Sequence, residues 1–225
     1  MASHPLDNPV WGALTGPQAE LGVVHGRFRR YRDGIGVFAA VEDPADGIEG
    51  LAEAMQPGTI HGVVAPHGLV VPSGTELVEA SPVPQMVAAV LRPADSSVPI
   101  RVLGAGDVPA MLELTGLTHP GPFLPRTIEM GHYAGIFDGE RLVSMAGERM
   151  RLAGFTEISA VCTHPDYQGR GYAKALVSAI GRDIVERGET PFLHVRASNS
   201  TAIAAYERLG FAIRREMIFT VVRRP

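Results

Sequence analysis

Six residues, Gln168-Gly169-Arg170-Gly171-Tyr172-Ala173, constrain this chain more than any other stretch. They follow an apolar run, Phe155 to Thr163, whose composition predicts a buried strand. They open a segment in which Tyr172, Leu176, Ala179, Ile180 and Ile184 recur along one helical stripe until Gly188 stops it. Phe192 to Val195 reads as the next strand. A strand, a helix and a strand in that order predict a right-handed crossover between parallel strands. Ligands in such sheets gather at the carboxyl ends of the strands, which directs attention to residues 157–173 and 195–206. Gly169 and Gly171 let the backbone turn tightly and approach a ligand. The helix that follows aims free N–H groups and its positive dipole end at that ligand, a setting suited to a diphosphate, and Arg170 adds charge.

Other loops share these glycines. A Walker loop needs a longer span between glycines and a Lys-Ser/Thr pair, which Gly171-Tyr172-Ala173-Lys174-Ala175 lacks. A dinucleotide fingerprint needs glycine where Lys174 stands. A plain strand-to-helix turn accounts for the loop without any ligand.

The remaining elements are read from punctuation and periodicity. Around the loop, Val98 to Leu103 is a strand, and Asp107 caps a helix to about Leu117. A loop from Thr118 to Arg126 is stiffened by Pro120, Pro122 and Pro125. Tyr133 to Phe137 and Arg141 to Arg149 form a hairpin across Asp138-Gly139. Asn199 to Leu209 is a helix, and Phe211 to Val222 supplies the closing strands. Before a polar linker at Arg92 to Ser97, the signals are weaker. They are a helix from Asp7 to Leu21 interrupted at Pro17, a strand at Gly36 to Val41, a helix from Pro44 to Met55, and apolar runs at Ile60–Val64, Gly68–Val71 and Val83–Leu91. We therefore expect a small α/β unit of unknown role over 1–97 and a second domain over 98–225.

Two motifs together bring a resemblance. Gln168 to Ala173 fits the Gln/Arg-x-x-Gly-x-Gly/Ala signature of the GNAT acetyltransferase superfamily at every defined position, with His164-Pro165-Asp166-Tyr167 as lead-in. Asn199-Ser200-Thr201-Ala202-Ile203-Ala204-Ala205-Tyr206-Glu207-Arg208-Leu209-Gly210-Phe211 resembles the family's second signature. The match is strong over 155–211 and extends by element order over 98–225. It implies a mixed twisted sheet flanked by helices, in the α/β (α+β) class. It further implies transfer of an acetyl or other acyl group from acetyl-CoA to a primary amine, by direct attack in a ternary complex.

By the same resemblance, Gln168, Gly169, Arg170, Gly171, Tyr172 and Ala173 hold the coenzyme, and the backbone of Val161, Cys162 and Thr163 binds its pantetheine arm and polarises the thioester carbonyl. Fixed backbone N–H donors suit that task because they are oriented before charge develops. Glu157, eleven positions before Gln168, is the candidate general base, although a solvated strand glutamate is the plainer reading. Tyr206 is the candidate acid that reprotonates the thiolate, with an ordinary pKa near ~10. Asn199 lies seven residues earlier on the same helix face, about 10 Å away along the axis, and suits the pantetheine arm. Plainer readings exist here too: an N-cap for Asn199 and a core aromatic for Tyr206. Cys162 has nothing nearby to lower its pKa, so covalent catalysis is not expected.

Composition limits the partners. A net charge of -4 points to neither nucleic acid nor an anionic membrane. One cysteine suits a reducing cytoplasm, and neither a signal peptide nor a membrane span is read. The eight histidines show no metal-ligand spacing, so no metal is assigned; His119 and His132 flank the proline-rich loop and are candidates for substrate contact. The alternative function is a non-catalytic acyl-CoA-binding regulatory module, and a third is a nucleotide-binding domain.

Overall fold

The structure is a computed structural model that describes residues 4–44, 49–92, 94 and 96–225. In chain order the elements are α1 (Pro9–Leu14), β1 (Gly22–His25), β2 (Phe28–Tyr31), β3 (Ala39–Ala40), α2 (Leu51–Ala54), β4 (Ile60–Ala65), β5 (Glu76–Pro82) and β6 (Gln85–Val87). Then come β7 (Arg101–Leu103), α3 (Val108–Thr118), β8 (Tyr133–Asp138), β9 (Arg141–Leu152), β10 (Phe155–Thr163), α4 (Tyr172–Glu186), β11 (Thr190–His194), α5 (Ser200–Arg208), β12 (Ala212–Arg215) and β13 (Ile218–Arg223).

A seven-stranded sheet runs β12-β6-β11-β10-β9-β8-β7. Only the β10–β11 pair in it is parallel, as the strand–helix–strand pattern requires. Helix α4 buries Leu176, Val177, Ile180 and Ile184 against one face of this sheet, with Ala134, Val143, Ala146 and Ile158. The other face packs Leu103, Tyr133, Leu142 and Met145 under Met111 and Leu114 of α3. Where Tyr133 crosses Gly147 the backbone must be bare, because a Cβ there would lie 2.1 Å from the ring. The predicted mixed sheet flanked by helices is thus the observed fold.

The first ninety residues are threaded through the rest. Strand β6 lies between β11 and β12, pairing Leu193 with Met86 and Ile213 with Met86. Conversely β13 sits between β4 and β5 in a second, three-stranded sheet. Locally the sequence expectations shift in this part. The Asp7–Leu21 helix is α1 alone, followed by a 3-10 turn at Ala19–Leu21, with the break just ahead of Pro17. The Gly36–Val41 strand shrinks to β3, and Gly68–Val71 forms no strand. The Pro44–Met55 helix is seen as α2, its earlier part and two linker residues falling outside the described residues. The hairpin β1–β2 and strand β5 carried no clear sequence signal; β5 is exposed along most of its length and lacks an apolar run. No helix of the described residues is long and apolar enough to cross a membrane.

Candidate functional site

Strand β10 pairs with β11 only at Phe155, Thr156 and Glu157, and the two strands then separate. The separation coincides with a bulge: the β9–β10 register shifts between Ser159 and Cys162, and Ala160 adopts φ 53°. From Ser159 to Thr163 the β11-facing edge of the strand is therefore released from its parallel neighbour. This is the opening that the sequence resemblance assigns to a pantetheine arm.

A cleft of about 650 Å³ lies beside it, lined by Val161, Cys162, Thr163, Tyr167, Gln168, Gly169, Gly171 to Lys174, Asn199 and Tyr206. Gly169 and Gly171 have φ of 77° and 79°, left-handed values that glycine takes without strain. No atom lies within 4 Å of where a Cβ would stand on either one, so the loop surface is open to a ligand. Gly171 is the N-cap of the 15-residue α4 and offers no side chain to its first turn. These features fit a diphosphate at the helix start with an extended arm running along β10. Arg170 instead stacks on Tyr167 at 4.7 Å and donates to the carbonyl of Asp166, at the edge of the loop. Tyr167 is held in turn by Asp138 at 2.6 Å.

The cleft continues into a junction of about 300 Å³ that passes between β10 and β11. Tyr206 lines both parts, and Asn199 accepts from the N–H of Ala202, capping α5 at the same edge. Burial pushes the Tyr206 hydroxyl up to about 12, which keeps its proton in place at neutral pH. Burial likewise raises the Cys162 thiol to about 11, in keeping with an unreactive cysteine. His119 ends α3 at φ 48° and lines the junction, whereas His132 is not among its lining residues.

Glu157 is not solvated. Its side chain is 0% exposed and paired by both oxygens with Arg149, at 2.8 Å from Nε and 2.6 Å from Nη2. Nδ1 of His194 donates to the same carboxylate at 2.7 Å. Burial pushes the carboxyl upward, but the charge and hydrogen bonds of Arg149 and the bond from His194 outweigh it and hold Glu157 at about 2. The imidazole is locked by its other side. Gln85 receives Arg214 on Oε1 and donates from Nε2 to the carbonyl of Leu6, so its amide also donates to Nε2 of His194 at 3.1 Å. The proton of His194 therefore sits on Nδ1. Arg149 stacks over Phe38 at 4.7 Å, and Gln18, anchored by Tyr31, holds its carbonyl at 2.7 Å.

Arg149, His194 and Arg196 also line a smaller cavity of about 80 Å³, walled by Phe38, Val64, Val83, Pro120, Pro122 and Phe219. Neither Arg149 nor Arg196 stood out in the sequence. Position gave a hint for His194, which ends a strand at the predicted ligand edge. Arg149 had none, since its meeting with Glu157 depends on a β9–β10 register that is shifted near this point.

Comparison with known proteins agrees with this geometry. The family model for FR47-like protein matches residues 133–220. The chain is 32% identical over 123 residues to the ribosomal protein bS18 alanine N-acetyltransferase of Salmonella typhimurium, covering 50% of this chain and 79% of that one. A mycothiol acetyltransferase of Corynebacterium aurimucosum is 43% identical over a shorter stretch of 63 residues, 28% of this chain and 21% of that one. A crystal structure from Novosphingobium aromaticivorans, described as an acetyltransferase from the GNAT family, superposes with a TM-score of 0.93 at 40% identity, covering 99% of this chain and all of that one. The loop at the start of α4, the parted strands and this likeness over nearly the whole length lead to one conclusion: the chain belongs to the GNAT family of N-acetyltransferases, enzymes that move an acyl group from acetyl-CoA to an amine.

Proposed function

We propose that the transfer occurs in a ternary complex at the junction between β10 and β11, with coenzyme on the α4 side and the amine on the Arg149 side. The observation that carries this reading is the continuous passage lined by Tyr206 from the glycine loop to the ion pair. Acetyl-CoA supplies an activated thioester whose thiol is already a good leaving group.

Gln168 to Ala173 bind the diphosphate, with Arg170 adding charge at the rim, and Asn199 steers the pantetheine arm. Backbone N–H groups released at Val161, Cys162 and Thr163 polarise the thioester carbonyl. Tyr206 keeps its proton at neutral pH and returns it to the departing sulfur. Glu157 serves the reaction by position. A carboxylate held at about 2 is too weak a base for an amine, and both its oxygens are engaged. It fixes Arg149 and His194 against the acceptor side. Among the described residues lining the junction, His119 is the imidazole not tied by a side-chain hydrogen bond, and we assign it the amine's proton. The stretch before residue 97 acts as an accessory unit that walls the acceptor side, and the protein works in the cytoplasm on a primary amine, with neither nucleic acid nor a membrane as partner and without a metal.

The test is thiol release and product mass with acetyl-CoA and a panel of primary amines. Acetylated product with at least one amine, and no acyl-enzyme on the intact protein, is expected. Tight coenzyme binding with no product from any amine would instead favour a non-catalytic acyl-CoA-binding module.

A further inference from the structure

The acceptor side of the junction has a chemical character of its own. The Arg149 guanidinium uses Nε and one N–H of Nη2 on Glu157, and Nη1 meets no hydrogen-bond partner among the described residues. Its side chain is only 11% exposed and borders both the junction and the small apolar cavity. That edge opens on the junction, where its N–H groups are free for water or a ligand to accept from. The planar fork of that edge matches a carboxylate. Arg196 stands at the rim of the same space, turned partly toward Glu79 at 2.6 Å.

What lines these spaces also excludes acceptors. Neither the junction nor the small cavity is lined by an aspartate or glutamate among the described residues, Glu157 being covered by its partners. A polyamine or a polycationic sugar therefore meets the cations of Arg149 and Arg196 and no carboxylate to pair with. Beside Arg149 stand Phe38, Val64, Val83 and Phe219, which suit a compact apolar side chain and not a long polar one. A peptide terminus carries no carboxylate next to its amine to pair with that edge.

We propose that the acceptor is a free α-amino acid with a compact apolar side chain, its carboxylate held by the idle edge of Arg149 and its side chain in the small cavity walled by Phe38, Val64, Val83 and Phe219. This rests on the acyl-transfer reading above. The amine nitrogen forms a bond to the acyl carbon as the carbon–sulfur bond breaks. One proton leaves the nitrogen, one is returned to sulfur, and the products are an N-acyl amino acid and free coenzyme A.

The experiment compares matched acceptors on the wild-type protein with acetyl-CoA: alanine, valine, leucine, methionine and phenylalanine, the amide of each, a dipeptide beginning with each, and spermidine. At least one free acid is expected to exceed its own amide, its dipeptide and spermidine by about tenfold or more in kcat/KM. Arg149→Lys, which keeps the charge beside Glu157 but loses the fork, should raise the KM for that acid about tenfold. It should leave the KM for acetyl-CoA unchanged and shrink the preference over the amide. Equal or better turnover of an amide, a dipeptide or spermidine overturns the inference while acyl transfer stands. Turnover of no amine, with coenzyme bound, overturns both. The wild-type comparison decides the matter even if the variant fails to fold.

Discussion

With both oxygens of Glu157 paired to Arg149 and one also accepting from His194, replacement by glutamine leaves a guanidinium buried without its counter-charge. We expect Glu157→Gln to lose about 3–5 kcal/mol in urea unfolding at pH 7. The pH dependence follows from the direction of the shift. A folded-state value of about 2, below the ordinary 4.5, gives stability that is present above 4.5 and lost as pH falls toward 2. The wild type should therefore lose stability more steeply over that window than Glu157→Gln, measured as urea midpoints at successive pH values. Tyr206→Phe should lower kcat about 10²-fold with little change in the KM for acetyl-CoA, since it removes a proton donor and keeps the ring; an unaltered kcat would remove it as the acid. Tyr133 offers a contrast, because its buried hydroxyl has no hydrogen-bond partner among the described residues. Tyr133→Phe should be neutral or about 1 kcal/mol more stable by thermal unfolding.

Helix α4 and the strand before it show how elements make the cleft at the glycine loop. The apolar stripe of α4 fastens it to the sheet, so the direction of its N-terminus is set by packing and not by the loop. Gly171→Asp puts a side chain on a left-handed residue and a negative charge at the helix start. Acetyl-CoA binding by calorimetry should weaken about tenfold or more, and unchanged affinity would detach the coenzyme from this loop. The bulge at Ser159–Cys162 does the complementary work on β10. It turns the backbone out of the β9 ladder just where β11 departs, so one strand serves two neighbours up to Glu157 and lines an open cleft beyond it.

At the scale of the molecule, the two stretches before and after residue 97 depend on each other for sheet pairing. Strand β6 fills the gap between β11 and β12, and β13 fills the gap between β4 and β5. Removing either stretch would strip two neighbours from a strand of the other and expose their backbone groups. We expect a single unfolding transition, with the fluorescence of Trp11, the chain's one tryptophan, coinciding with far-UV circular dichroism in urea. Separate midpoints would mark two independently stable units. The interleaving also brings Phe38, Val64 and Val83 to the small cavity beside Phe219.

The sequence by itself determined the parts whose cause is local. Strand β10, helix α4, helix α5 and the β8–β9 hairpin lie close to where apolar period, glycine stops and turn residues place them, because those signals act within a few residues. The glycine loop was legible for the same reason, and so was the family. Tertiary structure decided what depends on pairing across long separations. Whether Glu157 is solvated or sealed turned on Arg149 and His194, brought together by a shifted register and a parallel neighbour. The threading of β6 and β13 was equally hidden, since a strand's own residues record that it will be buried but not which strands lie on either side of it.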